Sequence, residues 1–224
     1  MSLQILSLSS YFQQMKDKFL ELDLTLTVIS VLIALFIVLA LAFINRKTGG
    51  LKWDTRKLTY GAVCIALSFV LSYIRLWKMP NGGSVTAASM LPMLAYGFMA
   101  GPLWGTVTGI AYSVLQFLQE SYFLSLPQFL FDYIFPFVAI SGLSGVFKTK
   151  YKKLNLYSGF ALAVVVRYAC HVIAGIAFWA ESAPYNPILY SFVYNSFVFI
   201  DAIPCFILIS IPAIQRLFKR IPKK

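Results

Sequence analysis

The residues with the clearest chemical potential lie on one predicted helix in the C-terminal third of the chain. Arg167, His171, Gly175 and Trp179 recur every four residues in the segment RYACHVIAGIAFWAESAP. Residues at that spacing lie on one face of an α-helix. The sequence around them is apolar enough to span a bilayer, where an ionisable residue is costly and therefore suggests a function. The stripe predicts one wall of a ligand site.

A second candidate is the acidic residue Asp132, which is followed by Tyr133 inside another apolar run. A carboxylate in such a run should face the interior of a helical bundle or a wet cavity. It could form an ion pair with Arg167, or it could bind a cationic or amidine-like ligand. His171, the only histidine, is either a satisfied core residue or a ligand contact.

Aromatic residues and one amide accompany these groups at a similar predicted depth. Tyr112, Tyr122, Trp179 and Tyr190 could belong to the aromatic belts of a membrane protein. Together with a carboxylate they would also suit a cation, because each aromatic face attracts a positive ring by about 0.5–2 kcal/mol. Asn195 could bond the edge of a heteroaromatic ring or a neighbouring helix.

The composition predicts an all-α integral membrane protein. Of the 224 residues, 59% are hydrophobic and only 12% are charged, far from the values of a soluble domain. The net charge of +11 indicates topogenic bases and contact with anionic lipid rather than nucleic acid, because the bases cluster between apolar runs. Cys64, Cys170 and Cys205 lack metal-ligand spacing and are expected to be reduced thiols, and no cofactor is predicted.

Hydrophobic patterning predicts seven helical segments. An amphipathic segment covers residues 1–24. The apolar runs that follow are 26–44, 58–74, 87–119 with a break at Gly101-Pro102, 127–147, 157–179 and 189–211. Residues 1–50 therefore add a span in front of a membrane domain over 51–224.

The basic residues predict the orientation of these spans. With the N-terminus outside and the C-terminus in the cytoplasm, most of the 19 lysines and arginines fall on the inner side. The chain would then be a multi-pass protein of the cell membrane. This orientation places Asp132, His171, Trp179, Tyr190 and Asn195 close to the outer face.

Several motifs are absent from the sequence. It contains no phosphate-binding GxxxxGK[ST] loop, no HExxH and no GxSxG, and it shows no clear inverted repeat. Any energy for moving a solute should therefore come from another subunit. Ala62 and Ala66 form a small-xxx-small pattern that permits close helix approach. Asp201 is a further acid in an apolar run, without an identifiable partner.

The chain resembles the thiamine-specific substrate-binding subunits, or S components, of energy-coupling factor transporters. The resemblance runs from about Arg56 to the C-terminus. Four segments carry it: WKMPNGGSVT, YFLSLPQFLFDY, RYACHVIAGIAFWAESAP and LYSFVYNS. It implies a six-helix bundle that binds thiamine near the outer face. The additional transmembrane helix predicted within residues 1–50 is the main departure from that family. The implied partners are a transmembrane coupling subunit and two cytoplasmic ATPases.

The resemblance also implies roles for individual residues. His171 and Trp179 would stack on the ligand rings, and Asp132 would accept from the aminopyrimidine or face the thiazolium charge. Gly175 would let a ring approach the helix. The remaining implied ligand contacts are Tyr112, Tyr122, Tyr133, Tyr190, Asn195 and Trp77, and the implied contacts to the coupling subunit are Ala62 and Ala66. Arg167 would anchor the site from beneath, for example by bonding backbone carbonyls.

Three functions therefore compete. The first is a thiamine-binding S component without enzymatic activity. The second is an S component for another vitamin, or a stand-alone transporter of a small heteroaromatic cation. The third is a membrane enzyme that uses Asp132 and His171 as acid and base.

Overall fold

The computed structural model describes residues 54–220 together with Val28 and Leu32, apart from the side chains of Lys152 and residues 217–220. The predicted amphipathic segment 1–24, nearly all of the predicted span 26–44 and the domain boundary at residue 50 lie outside the described residues. The prediction of an additional N-terminal span therefore stays a prediction.

The described part is mostly helical. Its helices in chain order are α1 (Thr55–Tyr73), α2 (Leu91–Ala100), α3 (Pro102–Gln119), α4 (Leu126–Phe129), α5 (Phe135–Gly142), α6 (Lys152–Phe178), α7 (Pro187–Asn195), α8 (Phe197–Ser210) and α9 (Pro212–Arg220). A π-helical turn, Leu130–Ile134, joins α4 to α5, and a 3₁₀ turn, Ala180–Ser182, follows α6. Strands β1 (Arg75–Lys78) and β2 (Ser84–Thr86) lie between α1 and α2.

Local sequence explains where several helices begin and end. Asp54 caps α1 because its carboxylate accepts hydrogen bonds from the backbone N–H groups of Arg56 and Lys57 at 3.0 and 3.3 Å. The predicted break at Gly101-Pro102 is confirmed: Gly101 has φ +92°, a conformation that favours glycine, and Pro102 opens α3. Pro127 lies in the first turn of α4, where its missing N–H is not needed for a helical hydrogen bond.

Two features differ from the predicted elements. The segment RLWKMPNGGSVT, which lies between two predicted apolar runs, forms an antiparallel hairpin whose tip contains Gly82 and Gly83 at φ +95° and +80°. The predicted span 189–211 divides at Ser196 into α7 and α8, and the short helix α9 follows it. Hydropathy does not separate α7 from α8, because apolar residues continue on both sides of Ser196.

Helix α5 lies against α2, α3 and α6. Small residues permit this contact: Gly97, Gly105 and Gly109 face α5 around Ser141 and leave no room for a Cβ. Backbones can therefore approach closely, as small residues allow in membrane helices.

Large apolar side chains cover the outside of the described bundle. They include Val70, Leu118, Ile188, Ile203 and Ile207, each more than half exposed. Two helical stretches, Lys153–Phe178 and Pro187–Ser210, are long and apolar enough to cross a membrane. An apolar exterior of this kind suits lipid rather than water.

Gly105→Ala should destabilise the protein by about 1–3 kcal/mol, because the new methyl group would overlap the backbone carbonyl of Ser141. The intrinsic preference of helices for alanine over glycine acts in the opposite direction by about 0.5–1 kcal/mol and should be outweighed. Thermal unfolding of the purified protein in detergent measures the change. The control Ala111→Leu enlarges an exposed position of the same helix and should have little effect; equal melting temperatures for Gly105→Ala and the wild type would contradict the packing described.

Candidate functional site

A cavity of about 640 Å³ lies among the hairpin, the π-helical turn and helices α3, α6, α7 and α8. Nine of the ten predicted ligand residues line it: Tyr112, Tyr122, Asp132, Tyr133, His171, Gly175, Trp179, Tyr190 and Asn195. Trp77 does not line it; this side chain lies on β1 and is 68% exposed. Residues far apart in sequence are thus brought to one space.

Asp132 is held by hydrogen bonds from two elements. Its Oδ2 accepts from Gln128 Nε2 at 2.7 Å and from Trp179 Nε1 at 3.1 Å. Its Oδ1 lies 3.7 Å from His171 Nδ1. Among the described residues it forms no ion pair with Arg167, so the predicted alternative of a charge-cancelling pair is wrong. The carboxylate is oriented by neutral donors, and Oδ1 is the less occupied oxygen.

The stripe of residues at four-residue spacing on α6 forms one wall of the cavity, as the spacing predicted. His171, Gly175 and Trp179 all line the space, and Arg167 lines it one turn below His171. The His171 side chain is 15% exposed, and its Nε2 is buried without a hydrogen-bond partner among the described residues. His171 therefore lines the cavity, while its Nε2 atom is buried behind the cavity surface.

Aromatic rings surround the outer part of the space. The Tyr122 and Trp179 rings lie 4.8 Å apart at an angle of 37°. Tyr133 donates its hydroxyl to the Glu120 carbonyl at 2.6 Å and accepts from the Tyr122 backbone N–H at 3.3 Å. These contacts fix the loop between α3 and α4 against the π-helical turn.

Helix α7 approaches α6 closely at Gly175, where a Cβ would overlap Ser191 Oγ. The Asn195 Nδ2 group donates to the carbonyls of His171 at 3.2 Å and Ser191 at 2.9 Å, and Ser191 donates to the Val172 carbonyl at 2.8 Å. The interhelical bonding weighed for Asn195 is therefore present. Its amide nitrogen serves the packing of α6 on α7.

The hairpin covers the cavity beside α7. Tyr190 accepts from Asn81 Nδ2 at 3.0 Å, and Tyr194 donates to the Gly82 carbonyl at 2.9 Å. On the other side, Arg75 lies 2.5 Å and Lys78 3.8 Å from the Glu120 carboxylate. Hydrogen bonds and ion pairs thus hold both edges of the hairpin.

The inner end of the cavity is formed by residues of four elements. Asp201 on α8 is buried and accepts from the backbone N–H and the hydroxyl of Thr86 at 2.7 and 2.8 Å, which gives this acid the partner that the sequence did not reveal. Tyr112 donates to the Ser68 carbonyl at 3.2 Å and accepts from Gln116. The backbone bonds expected for Arg167 are absent: no carbonyl of the described residues accepts from it.

Sequence reasoning missed three residues that shape the site. Gln128 orients Asp132, Ser191 joins α7 to α6, and Tyr194 holds the hairpin. Each lies four residues from a predicted site residue on the same helical face, so the i,i+4 rule was the signal that would have found them.

The predicted partner-contact residues lie elsewhere. Ala62 and Ala66 are exposed on α1, and neither lines the cavity. The described residues contain no cluster of three or more acidic, histidine or cysteine side chains that could hold a metal.

Gln128→Leu should destabilise the protein by about 1–3 kcal/mol, because it deprives the Asp132 carboxylate and the Leu124 N–H of their buried partner. Thermal unfolding in detergent provides the measurement. Ser121→Ala, which removes an exposed hydrogen bond from the same region, should change stability little. Equal effects of the two substitutions would show that the buried amide does not support Asp132.

Comparisons with known proteins point to one family. A family model described as "Thiamine transporter protein" matches residues 58–220. The thiamine transporter ThiT of Bacillus subtilis (strain 168) is 31% identical over 159 residues, which cover 62% of this chain and 82% of that protein. A solved structure of ThiT from Listeria monocytogenes has a TM-score of 0.58 at 24% identity and covers 74% of this chain and 99% of the other.

The solved structure supports the fold, and the family match supports the relationship. The matched region includes the whole cavity wall from α1 to α8, so the match and the candidate site coincide. The apolar helices fit the membrane location that a transporter requires. The chain belongs to the thiamine transporter family.

Proposed function

We propose that the chain is the high-affinity thiamine-binding subunit, or S component, of an energy-coupling factor importer. The observation that carries the proposal is an oriented carboxylate, Asp132, in an aromatic-walled cavity of a chain from the thiamine transporter family. Thiamine joins a cationic thiazolium ring to an aminopyrimidine. A carboxylate beside aromatic faces suits both parts, since it can attract the cation and accept from the exocyclic amine.

Asp132 would act through Oδ1, because Oδ2 already accepts from Gln128 and Trp179. A fixed carboxylate loses little freedom when the ligand binds, so the hydrogen bonds around it favour affinity. His171 and Trp179, on the same wall, would stack on the ligand rings. Gly175, where Ser191 of α7 packs on α6, would line the site with its backbone.

The remaining predicted contacts would complete the site. Tyr122 and Tyr133 would close the outer aromatic wall, Tyr112 would bound the inner end, and Tyr190 and Asn195 would add polar contacts from α7. Trp77 is left out of the proposed site because its side chain lies outside the cavity.

The proposed membrane arrangement is a six-helix bundle over 51–224 with an additional transmembrane helix within 1–50. In this proposal the N-terminus lies outside, the C-terminus lies in the cytoplasm and the cavity faces outward. The concentration of basic residues between the proposed inner ends supports this orientation. The exposed apolar side chains of the described helices support contact with lipid.

The proposed partners are a transmembrane coupling subunit and two cytoplasmic ATPases. The chain has no nucleotide-hydrolysing motif, so uptake against a gradient would need energy from such partners. Ala62 and Ala66 lie on an exposed face of α1 beside Val63 and Val70. Small residues on an apolar, exposed helix face suit close packing against another membrane helix.

The purified chain should bind thiamine without ATP, with quenching of the fluorescence of Trp179. Asp132→Asn should weaken binding by about 1.5–3 kcal/mol, because a charge-assisted hydrogen bond becomes a neutral one in a partly desolvated site. Titration calorimetry and fluorescence measure both effects.

Glu181→Gln is the matched control, since Glu181 is an exposed carboxylate two residues after Trp179; its affinity should equal that of the wild type. Tight binding of riboflavin or biotin without binding of thiamine would assign the chain to another vitamin. Unchanged affinity in Asp132→Asn would leave Asp132 with a structural role only.

Ala62→Trp and Ala66→Trp should block thiamine uptake by cells that contain the partner subunits, because an indole would prevent close helix approach. Thiamine affinity of the isolated subunit should stay unchanged, since neither alanine lines the cavity. Radiolabelled uptake and binding are measured in parallel, with Leu67→Trp as a control for a bulky group on a different exposed side of α1. Normal uptake by the double variant would remove the proposed coupling role.

A further inference from the structure

Arg167 is a buried cation that the rest of the described chain leaves without an acceptor. The residue is 8% exposed, and its Nε is buried with no hydrogen-bond partner. No carboxylate of the described residues forms an ion pair with it. The Phe137 ring lies 5.2 Å from the guanidinium carbon.

Such an arrangement is costly. A guanidinium carries five N–H donors, and burial of a charged group without acceptors is among the least favourable events in folding. Phe137 offsets part of this cost through a cation–π contact. The nearby carboxylates are already engaged: Asp132 accepts from Gln128 and Trp179, and Asp201 accepts from Thr86.

Arg167 also faces the cavity, one helical turn below His171. The Nε2 atom of His171 is likewise buried without a partner. Arg167 and His171 therefore line the same space from one helix face, and no carboxylate of the described residues pairs with Arg167. The chain supplies the donors on this wall, and the acceptor has to come from a molecule that enters.

We propose that Arg167 forms a hydrogen-bond subsite for the uncharged, acceptor-bearing end of the ligand, which is the ring-nitrogen edge of the aminopyrimidine in thiamine. This inference rests on the proposed function and assigns an orientation to the ligand. The pyrimidine points toward the inner end of the cavity, and the cationic thiazolium lies away from Arg167. Arg167 thus determines specificity for ligands with a heteroaromatic acceptor edge.

Electrostatics supports this orientation over the reverse. Placing the thiazolium beside Arg167 would bring two positive charges together in a space of low dielectric constant, where repulsion is strong. Placing a neutral ring with acceptor nitrogens there satisfies donors that are otherwise unused. A hydrogen bond from a charged donor to such an acceptor is stronger than one between neutral groups.

The test compares thiamine with a thiazolium analogue in which a phenyl ring replaces the pyrimidine, so that the cation is kept and the ring acceptors are lost. Binding of both ligands is measured by calorimetry for the wild type, Arg167→Met and Arg167→Lys, with Arg56→Met as a control that removes an exposed arginine. Arg167→Met should weaken thiamine binding about 10- to 100-fold and leave binding of the phenyl analogue within about threefold of the wild type. Arg167→Lys should recover part of the thiamine affinity, and Arg56→Met should change neither.

Three outcomes would overturn the subsite. The first is an unchanged thiamine affinity in Arg167→Met. The second is an equal loss of affinity for both ligands in that variant. The third is a thiamine affinity that falls in the wild type, but not in Arg167→Met, when gluconate replaces chloride in the buffer. The second would show a structural role, and the third would show that a free anion is the acceptor. If the Arg167 variants do not fold, the wild-type affinities for the two ligands provide the test. Equal affinity for thiamine and the phenyl analogue would overturn the subsite. A wild type that binds no thiamine overturns the proposed function itself.

Discussion

The structure depends on keeping a negative charge, Asp132, inside an apolar bundle. A largely buried carboxylate such as Asp132 is tolerated only when donors lie beside it. Here they come from one turn earlier on its own helical stretch, Gln128, and from the end of α6, Trp179. These bonds join two parts of the chain that contribute residues to the same cavity. Stability of the site and orientation of the carboxylate therefore have the same physical cause.

Close helix packing brings these groups to their distances. Glycines on α2 and α3 let α5 approach so closely that a methyl group would not fit, and α5 continues directly from the π-helical turn that carries Asp132. On the other side, Gly175 lets α7 approach α6, and Asn195 bonds across the contact. The side chains of the site are thus positioned by backbone contacts at residues that have almost no side chain themselves.

The charges of the cavity are distributed unevenly along it. Arg75, Lys78 and Glu120 form ion pairs beside the hairpin, whereas Arg167 at the inner end has no such partner. A cationic ligand with a neutral heteroaromatic ring has the complementary pattern, with one charged part and one acceptor-bearing part. The electrostatics of the inner end thereby links the proposed function to a proposed orientation of the ligand.

The sequence by itself determined the helical class, the break at Gly101-Pro102 and the stripe on α6, because hydropathy, glycine and proline conformation and the 3.6-residue period are local properties. The lone ionisable residues in apolar runs, Asp132, Arg167, His171 and Asp201, all line the cavity. Only the tertiary structure decided which groups meet: that Asp132 bonds Gln128 and Trp179 instead of Arg167, that Asp201 bonds Thr86, and that Trp77 lies outside the cavity. These outcomes depend on helix rotation and on contacts between residues up to 115 positions apart, which no local pattern encodes.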